Sequence, residues 1–172
     1  TSNLVNVSVT VACDVTDLRI SEVHIGNSDY ARLVNPTSCT LSLSGVRMRF
    51  DDNSLSDTDY NFTNNVSLGP NESLYVCESS VSNCGNVSSG GFANDVCVGT
   101  NIFYSGSAGR SGTTYLCNGN CNIAANLIDL HQFSYLTPAS APNPPGRITF
   151  SGGPQSQLSS QSSQSYLRNN NY

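Results

Sequence analysis

The chain is 172 residues long, with twelve acids, seven arginines and no lysine, for a net charge of −5. That length suits one domain with extensions, and the acidic balance excludes the basic stripe that nucleic-acid phosphates require. No run of about eighteen apolar residues occurs, so no transmembrane helix is coded.

From the start of the chain, Val5, Val7, Val9 and Val11 alternate with Asn6, Ser8 and Thr10. β-Branched residues at period two predict a strand over this segment. A first residue of Thr suggests an already processed chain. The stretch Asp17–Asp52 carries three more strand signals. Ile20, Glu22 and His24 alternate with Ser21, Val23 and Ile25; Asn27-Ser28-Asp29 interrupts, and Tyr30–Val34 resumes. Asn35-Pro36-Thr37 breaks the run again, because proline fixes its own φ and pushes its predecessor out of the helical region. In the last piece Val46, Met48 and Phe50 share one face and Arg47 and Arg49 the other, predicting a core side and a water side.

These residues carry a resemblance. ISEV (Ile20–Val23), SDYARLVNPT (Ser28–Thr37) and LSLSG (Leu41–Gly45) resemble the "ISEI", "DYVELYNPT" and "VDLSGW" segments of lamin tail domains. The SLGPNESLYV run (Ser67–Val76), GRSGTTYLC (Gly109–Cys117) and NLIDLHQFSY (Asn126–Tyr135) are similar to that family's later landmarks, so the resemblance spans about Val15 to Leu136. Arg32 stands where the family has an acid, and Val46 where it has tryptophan. The resemblance implies an all-β chain: an immunoglobulin-like β-sandwich over 15–136. It leaves residues 1–14 as an added N-terminal strand and the C-terminal segments as an extended arm. It implies fold, not function. Within its frame Leu127–Leu130 is a strand and not the helical turn that Ile123–Leu130 would also permit.

Between these landmarks lie polar insertions. Asp51, Asp52, Asp57 and Asp59 offer the several oxygen ligands calcium prefers, but their spacing misses the EF-hand pattern and a solvated loop is the expectation. Residues 78–101 form a long Gly/Ser/Asn-rich insertion tolerable on an edge if pinned by disulfides. Ile102–Tyr104 and Thr113–Leu116 read as short strands. After Leu136 comes a proline-rich linker, 137–146, whose extended form reaches about 30 Å. Residues 147–172 hold a short strand, Arg147–Phe150, and a Ser/Gln-rich tail that cannot bury enough apolar surface alone and needs a surface to lie against.

Seven cysteines, Cys13, Cys39, Cys77, Cys84, Cys97, Cys117 and Cys121, contain no C-x-x-C pair, so zinc is poorly supported. They read as disulfides of an oxidising compartment. Cys117 and Cys121 are spaced to close on each other, one pair among Cys77, Cys84 and Cys97 is expected to form locally, and the odd count leaves one thiol over. Cys13, at the edge of the folded region, is the candidate for an intermolecular bond. Sequons at Asn6, Asn61, Asn65, Asn71 and Asn86 are candidates for N-linked glycans, although so Ser-rich a chain produces such triplets by chance.

Chemistry is thinly represented. His24 and His131 are the only candidates for a base near neutrality. There is no G-x-S-x-G elbow, and no cysteine has the electropositive surroundings that make a nucleophile. The expectation is therefore a non-catalytic, secreted or cell-surface subunit without cofactor or metal, built to self-assemble head to tail into a filament. Strands exchanged between copies would supply the contacts, through Val5, Val7, Val9, Val11, Ile148, Phe150, Tyr166 and Leu167. The alternative is a secreted glycan- or protein-binding module with Tyr30, Tyr60 and Tyr104 as stacking residues.

Overall fold

The computed structural model describes residues 12–25, 29–52, 58–78, 96–99, 102, 111–134, 156–157 and 164–167. Among these the chain is built of strands, with helical geometry confined to two 3-10 turns, Val15–Asp17 and Ala124–Asn126. The first turn opens the fold through a capping box. Asp14 accepts from the Thr16 N–H at 2.9 Å, and Asp17 accepts from the Asp14 N–H at 3.1 Å.

The strands in chain order are β1 (Arg19–Ile25), β2 (Tyr30–Val34), β3 (Leu41–Ser42), β4 (Val46–Asp52), β5 (Thr58–Asn61) and β6 (Ser67–Leu68). They continue with β7 (Ser73–Cys77), β8 (Val96–Cys97), β9 (Ser111–Asn118), β10 (Leu127–Ser134), β11 (Ser156–Gln157) and β12 (Gln164–Leu167). They form two five-stranded sheets, ordered β12-β1-β2-β7-β8 and β11-β10-β9-β4-β5, and a β3-β6 pair. β8 pairs in parallel with β7 and β11 in parallel with β10, and every other ladder is antiparallel.

Alternation explains which face β2, β4 and β7 bury, whereas in β1 the register shift between Ile20 and Glu22 brings Ile20 and Val23, which strict alternation sets on opposite faces, to the same core. Ile20, Val23, Ala31, Leu33, Leu74 and Val76 from the first sheet meet Val46, Met48, Phe50 and Leu116 from the second in one core. Leu18, Leu41, Leu43, Phe62, Leu68 and Ile102 close its ends. Each such Val, Leu, Ile, Phe or Met side chain contributes roughly 1.5–3 kcal/mol when fully buried. Two turns hold the corners. In Leu43–Val46 the Val46 N–H donates to the Leu43 carbonyl at 2.9 Å, with Gly45 at φ +81. In Gly69–Glu72 the Glu72 N–H donates to the Gly69 carbonyl at 3.1 Å, with Pro70 second and Asn71 at φ +59. Both have the left-handed third residue of a type II turn.

The water side expected for Arg47 and Arg49 needs correction. Arg49 is buried, and its guanidinium grips Asp59 through Nε and, at 2.6 Å, through Nη2; Arg47 Nη1 reaches the same carboxylate at 3.2 Å. This outer face has an apolar cluster of its own, with Tyr115, Cys117 and Cys121 buried and Leu127 and Leu130 beside them. The loop closed by the Cys117–Cys121 disulfide brings Cys121 onto that face. Alternation alone could not show that a loop would cover it.

Cys13 is also corrected. It is joined to Cys39 within the chain, tying the segment before β1 to the turn after β2. Cys97 is disulfide-bonded too, and Cys77 is a buried thiol beside it in the β7–β8 register. The strands expected at Val5–Val11 and Arg147–Phe150 lie outside the described residues, as do Phe103 and Tyr104 of the strand expected at Ile102–Tyr104, while Ile102 itself sits buried in a bend and not in a strand. Cys84 and Asp57 also lie outside the described residues.

Candidate assembly edge

The C-terminal tail supplies two edge strands. β11 pairs with β10 through Phe133↔Ser156 and Ser134↔Gln157. β12 pairs with β1 through Glu22↔Leu167, Val23↔Tyr166, His24↔Ser165 and Ile25↔Gln164. Of the residues expected to make inter-subunit contacts, Tyr166 and Leu167 thus lie on the chain's own first sheet. Val5, Val7, Val9, Val11, Ile148 and Phe150 lie outside the described residues.

The β12 ladder occupies four of the seven residues of β1 and ends at Glu22. Just beyond, the β1–β2 register shifts between Ile20 and Glu22, a bulge. The β10–β9 register shifts as well, between Leu127 and Asp129. Asp129 bridges the two irregularities. Its Oδ2 accepts from the Ile20 N–H and its Oδ1 from the Leu130 N–H, each at 2.8 Å. A carboxylate of one sheet therefore takes up a backbone donor of the other where the edge ladder stops.

On the outer face of the first sheet, Tyr30 touches both Glu22 and His24. Its hydroxyl donates to Glu22 Oε1 at 2.8 Å, and its ring stacks on His24 at 4.8 Å and meets the edge of Tyr75 at 5.4 Å. The Arg32 guanidinium carbon sits 5.7 Å from the Tyr75 ring centre, within cation–π range. His131 is buried on β10, in register with Thr114. Tyr60 is half-buried against Phe62, ring centres 5.0 Å apart, and loss of solvent pushes its hydroxyl above the ordinary value of 10.0.

Asp59, weighed as a calcium ligand, is already held by two arginines, and Asp51 is buried. Among the described residues no group of three or more His, Cys, Asp or Glu is placed to hold a metal. Of the sequons, Asn61, Asn65 and Asn71 are exposed, in β5, in the turn after it and in the Gly69–Glu72 turn; Asn6 and Asn86 lie outside the described residues.

Asn35, which sequence reading treated only as a strand breaker, is an internal hub. Fully buried, its Nδ2 donates to the carbonyls of Cys39 at 2.7 Å, Leu68 at 3.0 Å and Gly69 at 2.9 Å. Its Oδ1 accepts from Thr37 N–H and Oγ1 at 3.0 and 2.7 Å. The Asn-Pro-Thr string was the only available signal. Asp129 had none, since it owes its position to a bulge.

No family model matches the chain, and no curated protein matches it. Among the described residues no helix is long and apolar enough to cross a membrane.

Proposed function

We propose that this protein is a non-catalytic structural subunit of an extracellular filament or surface fibre, assembling by exchange of its C-terminal strand between copies. The fold is read as an immunoglobulin-like sandwich of lamin-tail type. The observation that carries the assembly reading is β12. It is the last described strand, it follows a proline-rich connector, and it joins the fold along one edge of β1. A strand held that way can be replaced by the same strand of a neighbour in the same ladder, at little net cost. A head-to-tail exchange does not close, so it propagates.

Charge supports the same reading. All twelve acids lie at or before Asp129 together with five of the seven arginines, whereas residues 130–172 hold Arg147 and Arg168 and no acid. A basic arm and an acidic body attract one another whether or not they share a chain. The disulfides Cys13–Cys39 and Cys117–Cys121 fit an oxidising, external setting. The exposed sequons Asn61, Asn65 and Asn71 are the proposed glycan carriers. A glycan-binding module is less well supported, because the Tyr30 ring is already engaged by His24 and Tyr75.

The test is a disulfide lock across the β1–β12 ladder, His24→Cys with Ser165→Cys. Oxidised as dilute monomer, it should stay as single particles in electron microscopy and form fibres on reduction. Removing residues 147–172 should leave folded, non-polymerising monomer. Fibres from the truncated chain would overturn the reading.

A further inference from the structure

We propose that Asp129 is the end-stop that sets the register of the strand on β1. The need for one follows from the incoming strand. Residues 161–167 read QSSQSYL, and a Ser/Gln-rich strand pairs almost equally well after a slip of two residues, which also keeps each side chain on its original face. Specificity must therefore come from the acceptor edge.

β1 supplies it. The Ile20 N–H is consumed by Asp129 Oδ2 at 2.8 Å, so it cannot extend the ladder beyond the bulge, and Leu167 stops opposite Glu22. A slip of two toward the bulge would bring Leu167 opposite Ile20 and Ser163 opposite His24, and would force Asp129 to give up its bond. That bond is to a charged acceptor, roughly twice as strong as a neutral one. The second oxygen is fixed by the Leu130 N–H, so the carboxylate is positioned before the strand arrives. Asp129 is thus a positioning residue for assembly, acting through the Ile20 amide. This deepens the strand-exchange reading, and rests on it only for which copy supplies β12; the register argument holds for either.

The experiment compares two engineered pairs in the full chain, His24→Cys with Ser165→Cys and His24→Cys with Ser163→Cys, with and without Asp129→Ala. Disulfides are mapped by mass spectrometry of non-reduced peptides. The first pair should dominate with Asp129 present, and Asp129→Ala should raise the slipped pair relative to it by about tenfold. An unchanged ratio in a folded Asp129→Ala protein overturns the proposal. If that variant does not fold, Asp129→Asn, which keeps one oxygen to share between two amides, should slip about two- to threefold, and no change there overturns it equally. Failure of strand exchange is read separately, as bonds of either pair that lie entirely within single chains on a non-reducing gel at fibre-forming concentrations.

Discussion

At the scale of single residues, the strongest constraint is a neutral amide. Asn35 Nδ2 serves three carbonyls and its Oδ1 two Thr37 donors, joining the turn after β2 to the end of β6. Truncation to alanine strands several buried groups, each costing about 1–3 kcal/mol, so Asn35→Ala should lose at least about 3 kcal/mol in urea unfolding. Asn35→Asp should lose more, because it sets an acceptor against three carbonyls. If Asp proves as stable as Asn, the donor role is wrong. Tyr60 gives a pH test. Its folded pKa lies above 10.0, so the folded state keeps a proton that the unfolded state releases. Its contribution is therefore constant below pH 10 and falls as pH rises through the folded value. Tyr60→Phe should flatten that alkaline decline, measured as Tm against pH from 9 to 11.

Elements show why part of this was legible in sequence and part was not. β1, β2 and β4 fall where alternation placed strands, because inward residues such as Val46, Met48 and Phe50 had to reach one core, whereas β9 and β10 fall where the resemblance set its closing strands. Alternation reports which residues share a face, not what covers that face. Arg49 looked solvent-facing, yet Asp59 on β5 meets it across the strand pair. Tyr166 and Leu167 read as parts of an arm because a Ser/Gln-rich tail has no periodicity to announce a strand; only the vacant side of β1 gives it one. Asp129 was illegible because its aim depends on a register shift in β10. Cys13–Cys39 was missed since connectivity does not follow from spacing. That bond closes a loop with a sequence separation of 26, worth about 3–4 kcal/mol by chain entropy. Cys13→Ser with Cys39→Ser should lower Tm by about 6–15 °C in calorimetry without creating or removing intermolecular ladders. A change in ladders would revive Cys13 as an inter-chain link.

For the whole molecule, the proposed strand exchange predicts an assembly rate that depends on salt, because charge is unevenly distributed along the chain. In that reading the arm leaves its own β1 and finds another, and its two arginines, Arg147 and Arg168, approach a body that carries all twelve acids, some of them, such as Asp29 and Asp51, buried. Encounter between opposite charges is accelerated at low ionic strength and screened over a Debye length of about 10 Å at 0.1 M and 3 Å at 1 M. The ladder once formed is backbone hydrogen bonding and is little affected. Rate and stability should therefore separate. Raising salt from 0.05 to 0.5 M is expected to slow the mixing of two fluorescently labelled subunit pools severalfold, while preformed fibres persist. Arg168, immediately after β12, should account for much of this, so Arg168→Gln should slow exchange at low salt and weaken its salt dependence. A rate independent of salt would mean that arm departure, not encounter, limits exchange. A rate that rises with salt would mean that attraction to its own body holds the arm closed.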